Sequence, residues 1–149
     1  MLAALKRLFA SDPEAAGAAP AAAAEAAVAA TLLVEAALVD GDFDATEKAS
    51  IERLLAERYA LDGATLAGLI GRAETAARKS TQLYGLTKRL KNELDYDERI
   101  ELVEMLWTVV LSNGELHDFE AGLMRRLAGL LYVEDADSGA ARKRVEAHL

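Results

Sequence analysis

Apolar side chains recur every three to four residues along most of this chain, which is the spacing that one face of an α-helix requires. The runs are separated by short polar segments and predict about seven helices, the first over residues 21–39 and the last ending near His148. No stretch shows the sustained alternation that indicates a strand. We therefore predict an all-α fold, a single-domain helical bundle over residues 21–149.

The predicted helix ends carry capping residues. Acidic residues precede the second, third and fifth helices, at Asp44, Asp62 and Asp95. Glu47 and Glu98 follow two of these caps by three residues, so each pair can form a capping box that satisfies two backbone N–H groups. Gly41 is placed to end the first helix in the left-handed conformation.

The fifth predicted helix is apolar almost all round, so it should lie at the centre of the bundle. Its polar side chains form one stripe: Glu101, Glu104, Thr108 and Ser112. Trp107 and Met105 belong to the apolar surface of the same helix. We predict that they are core residues rather than parts of a ligand cage.

The chain contains an internal repeat. Residues 31–62, laid over residues 104–135 at a constant offset of 73, pair apolar with apolar positions and repeat the same turn. The matched pairs include Gly41 with Gly114, Glu47 with Glu120, Arg53 with Arg126 and Tyr59 with Tyr132. We predict two equivalent helix-turn-helix hairpins related by an approximate two-fold axis, with Val34 and Trp107 buried at equivalent places.

Composition narrows the classes of partner. The chain has 149 residues, no cysteine and a formal net charge of −8, so disulfides and thiolate metal sites are excluded. The negative charge argues against nucleic acid, which is bound through clustered Lys and Arg, and favours basic partners or cations. No apolar run approaches the roughly 20 residues that span a bilayer. We expect a cytoplasmic protein with an unidentified protein partner, and leave its oligomeric state open.

Residues 1–20 are predicted to form an amphipathic segment and an Ala/Pro linker outside the bundle. Leu2, Leu5, Leu8 and Phe9 share one helical face around a Lys-Arg pair. Two interpretations stay open. The segment folds back onto the core, or residues 1–10 make a peripheral contact with a membrane surface or a partner.

Carboxylates are dense in the two repeated turns. The first turn carries Asp40, Asp42, Asp44 and Glu47, and the second carries Glu115, His117 and Glu120. Calcium and magnesium take oxygen ligands, so these seven residues are the predicted metal site, although their spacing is not that of an EF-hand. The residues either cap helices alone or cap helices and also bind a divalent cation, calcium or magnesium, weakly.

Three stretches together resemble a known family. They are Ala-Leu-Val-Asp-Gly at 37–41, Arg-Ile-Glu-Leu-Val-Glu-Met-Leu-Trp at 99–107 and Asn-Gly-Glu-Leu-His at 113–117. The chain resembles the TerB family, small helical domains named for tellurite resistance and similar to the N-terminal region of the DjlA co-chaperones. The resemblance implies a pseudo-symmetric helical fold, a link to stress response and a divalent-cation site on the acidic turns. Asn113 stands where the family commonly has Asp, which weakens the second turn as a metal site.

The sequence leaves three hypotheses for the function of this chain. No phosphate loop, nucleophile elbow or zinc-binding His-Glu-x-x-His pattern is present, so we predict no enzyme. The first hypothesis is a TerB-like scaffold or cation-responsive interaction protein in tellurite, metal or envelope stress. The alternatives are a structural interaction module without a ligand, and a hydrolase. The hydrolase requires Glu35, Glu101 and Glu104 to line one pocket instead of forming ion pairs with arginines such as Arg99.

Overall fold

The computed structural model describes residues 21–39, 43–79 and 85–149. Within these ranges every regular element is an α-helix, as predicted. The helices are α1 (Ala21–Leu38), α2 (Ala45–Tyr59), α3 (Gly63–Lys79), α4 (Gly85–Glu93), α5 (Tyr96–Val110), α6 (Asp118–Leu130) and α7 (Asp135–Glu146). The predicted segment of residues 1–20 and the predicted cap at Gly41 lie outside the described residues.

The predicted N-terminal caps are confirmed. Asp44 Oδ1 accepts a hydrogen bond from the Glu47 backbone N–H at 2.8 Å, and Glu47 Oε1 accepts one from the Asp44 N–H at 3.2 Å. The same reciprocal box joins Asp95 and Glu98 at the start of α5. Asp62 Oδ1 accepts from the backbone N–H of Thr65 at 2.7 Å and so caps α3. Each bond satisfies a donor that the first helical turn leaves without a partner.

Two helices, α1 and α5, form the centre of the bundle. Helix α1 packs against α2, α3 and α6, while α5 packs against α2, α6 and α7. Seven residues of α5 are buried, as expected of a helix that is apolar almost all round. Trp107 is 7% exposed and its Nε1–H donates to Ser138 Oγ at 3.1 Å, which confirms Trp107 as a core residue.

The packing repeats in the two halves of the bundle. Helix α3 packs on α1 as α7 packs on α5, and each central helix also contacts the second helix of both hairpins. Val34 and Trp107, the matched positions of the repeat, are both buried. The superposition of the two hairpins by a two-fold axis stays a prediction.

Helix α4 lies between the two halves in the chain and packs against α1 and α6. It is amphipathic, with Thr87 and Leu90 buried and Lys88 and Arg89 exposed. A helix of nine residues is too short to be stable alone. Its position therefore depends on the contacts that it makes with the helices beneath it.

Candidate functional site

The second acidic turn connects α5 to α6. Asn113 Oδ1 accepts a hydrogen bond from the backbone N–H of Glu115 at 3.0 Å, and Gly114 next to it has φ of +79°. Asn is well suited to this local bond, so Asn113 shapes the turn even though it lacks the charge of Asp. Glu115 and His117 are exposed, with Oε2 and Nε2 3.7 Å apart.

Glu120 does not share that exposure. It is 1% exposed, and both of its carboxylate oxygens are engaged. Oε2 accepts from the backbone N–H of His117 at 2.7 Å, and Oε1 accepts from Arg53 Nη2 at 3.0 Å. The pair of the buried Glu120 with the partly exposed Arg53 joins α6 to α2, so a cation at this turn would rely on Glu115 and His117.

The first acidic turn is described from Phe43 onward, and Asp40 and Asp42 lie outside the described residues. Phe43 is buried, with Lys48 Nζ 5.5 Å from its ring centroid. Asp44 and Glu47 each use one carboxylate oxygen in the capping box and leave the other outside it. Across the residues that the structure describes, no three His, Asp or Glu side chains form a cluster able to hold a metal ion.

Glu35 has a different role from the one predicted. It is 5% exposed and accepts hydrogen bonds from the backbone N–H groups of Leu86 and Thr87, at 3.0 and 3.1 Å, and from Thr87 Oγ1 at 3.1 Å. A carboxylate at the N-terminus of a helix satisfies free donors and interacts favourably with the helix dipole. Glu35 of α1 therefore holds the first turn of α4.

The three carboxylates of the hydrolase alternative lie apart. Glu35 is bound to α4, Glu101 is exposed, and Glu104 forms an ion pair with Arg144 of α7. Within the described residues Glu35 forms no ion pair with an arginine, and its carboxylate instead accepts hydrogen bonds from the first turn of α4. Arg99 instead donates to the carbonyl oxygens of Lys91 and Leu94, at 3.2 and 2.7 Å. The pocket that this alternative requires is not formed by these residues.

Comparison with known proteins decides the family. Residues 24–143 match the family model described as tellurite resistance protein TerB. The chain belongs to the TerB family. The match extends from the first turn of α1 into α7 and therefore includes both halves of the bundle. No curated protein and no solved structure matches the chain.

Family membership confirms the resemblance, and the helices of the structure confirm the all-α fold. TerB domains are generally non-catalytic and helical, which agrees with the separation of Glu35, Glu101 and Glu104. None of the helices in the described part of the chain combines the length and the apolar character needed to cross a membrane.

Tyr59, Glu74 and Asp62 are three of the side chains in this TerB domain whose pKa values are shifted by their surroundings. Burial, and then the hydrogen bond that its hydroxyl donates to Glu25, raises the pKa of Tyr59. The hydrogen bond from Lys48 holds the pKa of Glu74 below its ordinary value, and Nζ and Oε1 of the pair are 2.8 Å apart. The backbone N–H of Thr65 lowers the pKa of Asp62. All three shifts arise from contacts that stabilise the TerB fold.

One feature of the TerB domain surface was missed by the sequence analysis. Tyr132, between α6 and α7, is 67% exposed and has φ of +54°. Lys91 Nζ lies 4.4 Å from its ring centroid. The available signal was the basic character of α4 and of residues 125–126 in an otherwise acidic chain, but sequence alone does not reveal that a tyrosine adopts the left-handed conformation.

Proposed function

We propose that this TerB domain is an interaction module that acts in tellurite, metal or envelope stress, and that its first acidic turn binds a divalent cation weakly. The observation that carries the proposal is the TerB match over residues 24–143. The buried polar residues support a role exercised at the surface, because Glu35, Glu120 and Ser138 are all engaged in bonds between helices.

The cation part of the proposal is supported by the carboxylate chemistry of the first turn. Asp44 and Glu47 each have an oxygen outside the capping box, and Asp40 and Asp42 precede them in the sequence. Neighbouring carboxylates repel one another, and a bound calcium or magnesium ion relieves this repulsion. Because the ion binds the native turn, it stabilises the fold.

The stress role is tested by deleting the gene from its host and measuring the tellurite and divalent-metal concentrations that stop growth. We expect tolerance to fall and to be restored by the full chain supplied in trans. Growth in unstressed medium serves as the control. Unchanged tolerance to tellurite, to divalent metals and to envelope-damaging detergents would contradict the stress role.

The cation role is tested by thermal melting with millimolar calcium, magnesium, manganese or zinc. We expect at least one ion to raise the melting temperature, and the Asp42→Asn/Asp44→Asn variant to lose most of this increase. Asn keeps its capping ability, so the substitution removes charge without removing the cap. Asp62→Asn is the matched control because Asp62 also caps a helix.

A Glu115→Gln/His117→Asn variant compares the two turns. We expect it to lose less of the cation-dependent increase than the first-turn variant, since Asn113 and the engaged Glu120 leave fewer ligands at the second turn. If all four ions leave the melting temperature unchanged, the turns serve only as caps and the module acts without a cation.

A further inference from the structure

Tyr132 is held in an unusual conformation. Its neighbours Leu131 and Val133 are 0% and 5% exposed, whereas Tyr132 itself is 67% exposed. Its φ of +54° lies in the left-handed region, which is costly for a residue with a Cβ atom and is usually occupied by Gly or Asn. Strained residues of this kind concentrate at functional sites. The fold thus directs a large aromatic side chain outward at a position where glycine would satisfy the turn.

The exposed ring is held in place by a neighbouring helix. Lys91 Nζ of α4 is 4.4 Å from the ring centroid, a geometry that gives a cation–π attraction. Within the described part of the chain, the phenol hydroxyl of Tyr132 has no hydrogen-bond partner. The side chain therefore presents an ordered ring and an available hydroxyl to solvent, which suits it to contact another molecule.

Basic residues lie on the two helices that meet near this ring, α4 and α6, while the acidic Glu134 and Asp135 follow Tyr132 in the chain. Lys88 lies one turn before Lys91 on α4, and Arg125 lies two turns before Tyr132 on α6. Both are exposed, and neither forms an ion pair within the described residues. Glu93, the acidic residue of α4, is paired with Arg89. Other arginines are likewise paired with glutamates: the exposed Arg78 and Arg144 and the partly buried Arg142.

We infer that Lys88, Lys91, Arg125 and Tyr132 form a docking surface, the Tyr132 surface, for an acidic segment of a partner protein. Tyrosine and arginine are the residue types that dominate interface energetics, and complementary charge orients a partner during encounter. The net charge of −8 repels an acidic partner elsewhere on the molecule, so the local positive charge selects this surface. The inference rests on the proposed function because it assigns the chemistry of the module's partner, which differs from the basic partner expected from net charge.

The test uses a short fluorescein-labelled peptide of Glu, Asp and Leu, with a control peptide in which Lys replaces each acidic residue. Binding is followed by fluorescence anisotropy and by the amide resonances of the full chain. We expect the acidic peptide to bind in a salt-dependent manner and to shift the resonances of Leu131 and Val133. The control peptide should leave them unchanged.

The decisive variant is Tyr132→Gly, because glycine adopts a positive φ without strain. We expect the variant to melt at the same temperature as the wild type or higher, and to weaken peptide binding by about tenfold or more. Ala60→Gly is the matched control, since Ala60 has φ of +52°. It should leave peptide binding unchanged. Loss of binding without loss of stability separates docking from folding.

Four outcomes would overturn the inference. They are absence of acidic-peptide binding, binding that Tyr132→Gly leaves unchanged, preferential binding of a single-stranded oligonucleotide at the same resonances, and self-association that depends on Tyr132 in sedimentation. The tellurite growth assay separates this inference from the proposed function. If peptide binding fails while the full chain restores tolerance, only the docking surface is wrong.

Discussion

The two halves of the bundle, α1–α3 and α5–α7, use the same packing with different polar residues. In each half, a central helix packs against the second helix of its hairpin and against a third helix: α1 against α2 and α3, and α5 against α6 and α7. Glu47 and Glu120 occupy matched positions, yet Glu47 makes only a local capping box, whereas buried Glu120 also binds Arg53 of the other half. The apolar pattern preserves the common packing, and the polar positions have acquired separate roles.

The matched tyrosines differ in the same way. The Tyr59 hydroxyl donates to Glu25 of α1, and the Arg58 guanidinium lies 5.2 Å from the ring centroid. Tyr132 lies outside the core with Lys91 over its ring. The tyrosine of the first half therefore connects two helices, whereas the matched tyrosine of the second half is available for contact with another molecule.

The largest expected difference in the free energy of unfolding is between substitutions at Glu35 and at Thr108, its matched residue in the repeat. We predict that Glu35→Ala lowers the free energy of unfolding by about 3 kcal/mol, because it leaves buried backbone donors of α4 without partners. Thr108 Oγ1 bonds only to a carbonyl of its own helix, so Thr108→Ala should cost less than about 1 kcal/mol. Urea unfolding measures both values. Equal losses would show that Glu35 does not hold α4.

A smaller difference is expected between Glu120 and Glu47. Glu120→Ala should cost about 2 kcal/mol, since it removes a buried carboxylate that is bonded to Arg53 and to the His117 N–H. Glu47→Ala should cost about 0.5 to 1 kcal/mol, the usual value of a capping contact. The same urea experiment compares them. A cost for Glu47→Ala that matches that of Glu120→Ala would contradict the division of roles.

The sequence predicts the structure correctly where the interacting residues are close in the chain. The helices follow from the apolar period, and the caps at Asp44, Asp62 and Asp95 bond to residues three positions away. The prediction was wrong for Glu35, whose partners are more than 50 residues away and become neighbours only when α4 packs on α1. The metal site stays a prediction, because carboxylate density alone does not distinguish capping from cation binding.

The repeat aligns Glu120 with Glu47 and so predicts the same role for both glutamates, which the structure does not show. Burial of Glu120 depends on α2 meeting α6, and the role of Tyr132 depends on a single backbone angle. Neither is encoded in the local pattern. A repeat therefore predicts shared packing better than it predicts the shared use of polar residues.

The ion pairs between helices give the smallest expected effect. Lys48 binds Glu74 and ties α2 to α3, while Arg144 binds Glu104 and ties α7 to α5. Because the pKa of Glu74 is lowered in the folded state, its contribution to stability is complete above its unfolded pKa and is lost as pH falls through the folded pKa. Lys48→Met should raise the pKa of Glu74 and reduce the acid dependence of unfolding slightly.

Carboxyl resonances followed against pH by NMR measure the pKa of Glu74 directly. Lys88→Met is the control, since it removes a lysine that forms no ion pair with Glu74. An unchanged pKa of Glu74 in Lys48→Met would show that the pair does not persist in solution.

The central claim is that Tyr59 stabilises the fold of the first half, whereas its matched residue Tyr132 in the second half is available for contact with a partner. The most direct test is the free energy of unfolding, from urea titration, of Tyr59→Phe and Tyr132→Gly. We predict that Tyr59→Phe loses about 1 kcal/mol because Glu25 loses its hydrogen bond, and that Tyr132→Gly equals or exceeds the wild type. A loss for Tyr132→Gly as large as that for Tyr59→Phe would contradict the claim.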